Sequence, residues 1–502
     1  MQPEQQIQEL KTRMAEIFDL QAASGLLNWD QQTYMPPGGA VNRGQQLATL
    51  QQIAHVKFVS DEIGRLLDDL QPYISQLDPD SFDARFVSVT KRKYDKEVKV
   101  PTEWVMEFSQ VTTEAYSAWG KARAENDFPS FQPYLEKILA LAQRYAECFA
   151  PYDHVYDPFV DVFEPGLKTV DIKAIFNTVR PQQVELIRKI AARPQVDNAF
   201  MHLAYDEQKQ WDFGVELITK MGYDWYHGRQ DKTLHPFSSS FGLGDVRITT
   251  RVYPNFLAPA LFGTLHETGH AMYELGSDPS LDRTPLLGGA SSGIHESQSR
   301  MWENFVGRSL PFWQHFYPRL QEYFPSQLGN LSLDAFYKGI NKVQPSLIRV
   351  EADEATYNLH IMLRMELEMA MMEGSLAIKD LPEAWNSRFQ EYLGITPPDN
   401  ATGVLQDVHW SGGLIGYFPS YALGNLIAAQ LWELINKDIP DLPEQIRRGE
   451  FGPWLAWLRA KIHKHGSMFE PQELIQRVTG TSIDPAPYIR YLTHKYTDIY
   501  RL

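Results

Sequence analysis

The stretch Leu265-His266-Glu267-Thr268-Gly269-His270 sets two histidines four residues apart with a glutamate between them, an H-E-x-x-H pattern. Apolar residues recur around it at three- and four-residue steps (Leu257, Leu261, Leu265, Met272, Leu275). Pro259 falls in a first turn and Gly276 is a natural stop, so the pattern predicts a helix over 257–275. Residues four apart share a helix face, so His266 and His270 can aim imidazole nitrogens at one point while Glu267 stands beside them. A zinc hydrolase needs this set: two neutral nitrogen ligands and a carboxylate next to the water that the metal activates. Among the 14 histidines of this chain, composition alone yields such a motif on the order of a few per cent of the time, so a third ligand matters. A catalytic zinc takes three protein ligands and leaves one position for water. A second helix, opening at a Ser292 cap, puts Glu296 and Glu303 two turns apart on one face. Glu296 suits the usual H-E-x-x-H plus Glu arrangement; Glu303 and His295 are the alternatives.

These residues need a large frame. The chain has 502 residues, 43% hydrophobic and 22% charged, with ample material for a core. No linker, charge block or fixed-period repeat marks a boundary, so one helical unit over 1–502 is expected, with room for two lobes around a cleft. The net charge of -16 disfavours nucleic acid and anionic membrane as partners. The single cysteine, Cys148, excludes internal disulfides, fits a reducing cytosol and reads as a small buried hydrophobe. The polar N-terminus and the absence of any run of eighteen apolar residues complete the expectation of a cytoplasmic protein.

Helical periodicity covers about 4–24, 42–58, 60–72, 83–98, 101–125, 132–149, 170–193 and 204–222, and later 452–464, 470–480 and 486–499. Leu27 to Gly39 reads as a structured turn, and the aromatic, acidic run 151–165 as a packed loop. The alternation of Asp245 to Val252 predicts a strand, almost the only convincing one, leading into the H-E-x-x-H helix. Such a strand can pair with an extended peptide backbone; a structural hairpin edge is the plain alternative. A helix from 347 to about 373 would align Arg349, Asp353, Tyr357 and His360 as one polar stripe. The glycine-rich stretch Gly403 to Asn425, with His409, Tyr417 and Tyr421, suggests backbone close to a ligand. His463 and His465 read as surface residues.

Taken together, six ordered motifs resemble the thermostable, Taq-type metallocarboxypeptidases of bacteria and archaea. They are His235-Pro236-Phe237, Asp245-x-Arg247-x-Thr249, His266-Glu267-x-x-His270, His295-Glu296-Ser297-Gln298, Ile348-Arg349-x-x-Ala352-Asp353 and Gly403-x-x-Gln406-Asp407-x-His409-Trp410. The resemblance implies His266, His270 and Glu296 as ligands of one zinc and Glu267 as the catalytic carboxylate. It implies a mainly α fold with a deep groove and a small β-sheet beside the zinc helix, similar to angiotensin-converting-enzyme and neurolysin-type peptidases, and a homodimer. The implied activity is release of single C-terminal residues from peptides with broad preference, terminal proline being resisted. On that reading His409 with Tyr421 (or Tyr417) would stabilise the oxyanion, and Arg349, or second Arg247, would hold the substrate carboxylate. His235, Asp353 and Tyr417 complete the expected substrate contacts. A zinc endopeptidase or dipeptidyl carboxypeptidase shares the same core, and a two-His, one-carboxylate site also accepts cobalt or another divalent ion.

Overall fold

A computed structural model describes residues 2–502 and divides the apolar core into two clusters. The smaller belongs to the N-terminal helices α1 (Pro3–Thr33), α2 (Ala40–Phe58), α3 (Asp61–Ile74) and α4 (Phe82–Glu97). Helix α1 buries Ile7, Leu10, Met14 and Ile17, a single stripe at three- and four-residue steps, against Leu67 and Leu70 of α3 and Phe86 of α4. Leu281 and Leu286 from the main body close this core.

The chain past Leu27 remains helical to Thr33, so the expected turn begins only at Tyr34. Tertiary packing overrides the local signal there. Trp29 is buried between the guanidiniums of Arg247 and Arg229, 4.4 and 5.1 Å from its ring, and Pro36 then ends the helical path.

One sheet has the order β1-β3-β2, from β1 (Gly228–Lys232), β2 (Ser238–Ser240) and β3 (Val246–Thr250). The strand expected from sequence is β3, yet it is the central one, parallel to β1 and antiparallel to β2. It therefore offers no free edge to a peptide; β2 does. Val246 and Ile248 are fully buried and anchor the sheet under the next helix, α5 (Leu257–Glu274).

Helix α6 (Ser292–Arg300) is capped by Ser291, whose hydroxyl accepts the Ile294 N–H at 3.0 Å, and runs on into a π-helical turn, Met301–Val306. Two glycines let its neighbours close in. A Cβ on Gly269 of α5 would sit 2.6 Å from Ser299 Cα. One on Gly424, in the helix α8 defined below, would sit 2.6 Å from Glu296 Cγ.

The stretch 347–373 is not one helix. Arg349–Glu351 forms a 3₁₀ turn and α7 (Tyr357–Met372) starts later, so the four-residue polar stripe does not exist. Helix α7 is buried nearly all round, and His360 lies edge-on to Phe389 at 5.3 Å with no exposure. Helix α8 (Phe418–Asp438) packs on both α6 and α7.

Three smaller expectations also change. The run 151–165 contains a short helix, Asp157–Phe163. Cys148 is half-buried at a helix end instead of in a core. His463 is fully buried, bonded through Nε2 to Gln298 at 2.9 Å, because the chain turns inward after Lys461. Among the described residues no helix is long and apolar enough to cross a membrane.

Candidate active site

His266 and His270 lie one turn apart on α5, and α6 crosses close enough to bring Glu296 between them. Glu296 Oε2 is 3.6 Å from His266 Nε2 and 3.4 Å from His270 Nε2, and one donor atom from each residue falls within 4.8 Å of the others. The opposite ring nitrogens are engaged. His266 Nδ1 meets Glu303 Oε2 at 2.9 Å. His270 Nδ1 meets His295 Nδ1 at 2.6 Å, and His295 Nε2 in turn meets Glu274 Oε1 at 2.7 Å. Both Nε2 atoms are thus turned to the common point, and the donor set fits a divalent transition metal such as zinc. The two rival third ligands from sequence, Glu303 and His295, instead brace the imidazoles from behind. Arg300, unremarked in the sequence, ties the acids together: its Nε donates to Glu296 Oε1 at 2.7 Å and its Nη1 to Glu303 Oε2 at 3.1 Å.

Burial favours neutral forms here, and the charges decide each case. Burial depresses His270 to about 3, so its imidazole is neutral. Burial also works against charge on His266, but the carboxylates of Glu296 and Glu303 outweigh it and raise its pKa. Burial would push Glu296 up, yet Arg300 and His266 hold it well below the usual carboxylate range. Burial raises Glu267 to about 7, because the lowering by His266 and His295 is opposed by Glu296 and Glu303. Among the described residues it accepts no protein hydrogen bond.

The cleft has two arms of about 610 and 740 Å³. Both are lined by His266, Glu267, Glu296, Tyr421 and Pro236, so the arms meet at the triad. The first arm runs past Phe237 and Ser238 at the free edge of β2, and past Tyr417, which stands edge-on to Phe163 at 4.9 Å. The second runs past Arg300, Tyr357, Arg349 and Asp353.

Arg349 is buried on the wall of the second arm. Its Nε donates to Asp407 Oδ1 and its Nη1 to the Tyr357 hydroxyl, both at 2.9 Å. Arg364, fully buried and missed in the sequence, donates to Asp407 Oδ2 at 2.6 Å. Two guanidiniums thus share one carboxylate, and despite burial they keep Asp407 well below its usual range. His409, lowered to about 3 by burial and then by Arg349, touches the Tyr421 hydroxyl through Nε2 at 3.2 Å. Tyr421, not His409, faces the cleft.

Three other candidates stand apart from the triad. His235 is exposed and off the cleft wall, although Pro236 and Phe237 beside it are on the wall. Arg247 points to α1, bound at 2.7 Å by both oxygens of its own Asp245 and stacked on Trp29. Asp353 lines the second arm, but its carboxylate caps the chain before α7, accepting from the N–H groups of Gln344, Ala355 and Thr356.

A helical frame, a two-armed cleft and a nitrogen-oxygen triad beside a buried glutamate describe a metal-dependent hydrolase. The family model described as carboxypeptidase Taq (M32) metallopeptidase matches residues 9–496. The chain is 42% identical to thermostable carboxypeptidase 1 of Thermus thermophilus over the whole of both chains. It is 39% identical to carboxypeptidase 1 of Bacillus subtilis over 98% of this chain and all of that relative. The crystal structure of the M32 carboxypeptidase from Deinococcus radiodurans superposes with a TM-score of 0.97 at 39% identity, covering 99% of this chain and 100% of that one. The chain belongs to the M32 family and is a metallocarboxypeptidase.

Proposed function

We propose that this enzyme removes single residues from peptide C-termini with broad preference, holding one zinc ion by His266, His270 and Glu296. The observation that carries the reading is the convergence of both Nε2 atoms on Glu296 while both Nδ1 atoms are braced. A bound zinc supplies Lewis-acid polarisation of the scissile carbonyl and lowers the pKa of a water beside it. Glu267 takes the proton from the attacking water and returns it to the leaving amine; a carboxylate near 7 suits both transfers at neutral pH. The Tyr421 hydroxyl, whose pKa burial raises well above 10, stays protonated and donates to the oxygen on which charge develops. His409 acts through Tyr421, as its positioning partner.

Arg349 receives the terminal carboxylate in the second arm, its Nε and Nη1 fixed by Asp407 and Tyr357. Upstream residues then pass along the first arm, where Tyr417 and the free edge of β2 face the peptide. Cobalt or another divalent ion would suit the same donors. A cytoplasmic homodimer completes the proposal, checked by sedimentation and cell fractionation.

Mass spectrometry of a defined peptide, digested with and without chelator, tests the reading. It expects a ladder losing one C-terminal residue per step, abolished by the chelator. Products two residues shorter would indicate a dipeptidyl carboxypeptidase, and internal cuts an endopeptidase; either refutes it.

A further inference from the structure

The first arm carries a charge that the proposed chemistry does not use. Arg92 and Lys93, from α4 of the N-terminal lobe, line it together with Ser291, Ser292 and Ser467. Arg92 is matched by Glu470, 2.6 Å away. Lys93 has no such match: its Nζ donates to the Pro285 carbonyl at 2.7 Å, and among the described residues it pairs with no carboxylate; although part of its surface is exposed, desolvation and the neighbouring Arg92 and Lys96 lower its pKa to about 8, which leaves it mainly charged at neutral pH. Among the described residues, the carboxylates on the walls of this arm are Glu267 and Glu296, beside the histidine pair. In a chain of net charge -16, this wall of the cleft therefore holds a cation with no carboxylate partner.

The geometry points to Lys93 as a specificity residue that takes an acidic side chain of the peptide, upstream of the bond that is cut. This rests on the reading above that Arg349 binds the terminal carboxylate, since that assignment sends the upstream residues into the first arm. The free edge of β2 sharpens it. A peptide paired to an edge strand points successive side chains to opposite sides, so Lys93 meets one position, or alternate ones, and not every position.

Peptides identical except for Glu or Gln at a single upstream position, scanned one position at a time at low salt, test this. The kcat/KM ratio of the Glu to the Gln peptide, taken within one enzyme preparation, does not depend on how much protein is folded. At one position, or at alternate ones, the wild type should favour Glu by about 3- to 5-fold, the scale of an exposed ion pair. Lys93→Met should bring that ratio to about one, and Lys93→Glu should invert it. Equal cleavage of Glu and Gln peptides at every position overturns the proposal, as does an unchanged Glu preference in Lys93→Glu. A Glu preference spread evenly over all positions also overturns it, since that is bulk attraction and not a subsite. The parent reading has its own readout, the preference for a free over an amidated C-terminus. If Arg349→Met loses that preference while the wild type shows no Glu selectivity, only the Lys93 proposal falls. If Lys93→Met loses it instead, the arms are reversed and both fall.

Discussion

The two sides of the cleft are built with opposite charge. Around α5 and α6, three carboxylates (Glu267, Glu296, Glu303) face two guanidiniums, Arg300 and, 3.6 Å from Glu303, Arg308. Around Asp407, two guanidiniums (Arg349, Arg364) face one carboxylate. Tyr357 stands between them, its ring 4.4 Å from the Arg300 guanidinium and its hydroxyl on Arg349. Buried charge is costly unless paired, so each surplus marks what is missing: a cation on the first side, an anion on the second. Under the proposed function, a metal ion and a peptide carboxylate would be the two partners that balance the books. The surplus also explains why the side chains on each side are so thoroughly braced; a ligand arriving at prepared groups finds little left to reorganise.

The most severe way to break this comparison is to remove the base on the metal side while leaving the three metal-binding side chains in place. Glu267→Gln should lower turnover by about 10²- to 10⁴-fold while metal content, read by atomic emission, is retained; an active variant contradicts the assignment. On the anionic-ligand side, Arg349→Met should abolish the preference for a free over an amidated C-terminus, at a cost of about 2–5 kcal/mol in kcat/KM for the free acid. An unchanged ratio would show that the second arm does not hold the carboxylate. The braces come next. Glu303→Gln and His295→Gln should each weaken metal binding about 10- to 100-fold, measured by competition with a chromogenic chelator, with metal-saturated activity far less affected. Full affinity in both variants would mean that the Nδ1 contacts do not orient the ligands.

The smallest effect lies at the seam where the cleft wall meets α6. Glu164 is fully buried and accepts the Gly293 N–H, and burial raises its pKa from 4.5 to about 7. A carboxyl raised on folding stabilises the native state below its unfolded pKa and loses that contribution as pH climbs through the folded value. Between about pH 4.5 and 7 the loss is up to about 1.4 kcal/mol per pH unit. Glu164→Gln, which cannot ionise, should therefore show a shallower fall of the urea midpoint over that range; identical slopes would contradict the shift.

Legibility followed how local the cause was. The pair His266 and His270 is readable because residue type and a four-residue spacing suffice, and Glu296 stands out on the next helix only as the first of three candidates. The bracing roles of Glu303 and His295 were not readable, since the same residue types serve as ligand or as support. Only the crossing of α5 and α6, made possible by Gly269, decides between them. The π turn after Arg300 changes the spacing on which a simple face count for Glu303 relied. Strands β1 and β2, with sequences Gly-Arg-Gln-Asp-Lys and Ser-Ser-Ser, have almost no strand propensity and exist through pairing with β3. Arg349 and Arg247 look alike in sequence, each in a short motif with aspartate. One reaches across to Asp407 in the cleft wall and the other folds back on Asp245 two residues away, a tertiary difference that no local pattern carries.

The central claim is that the surplus of carboxylates on α5 and α6 exists to hold one divalent ion required for peptide shortening. Protein stripped by a chelator and titrated with zinc, with peptide hydrolysis followed at each addition, tests it most directly. Activity should be absent at the start and saturate at one equivalent per chain. Stripped protein that continues to shorten peptides at the original rate would contradict the account.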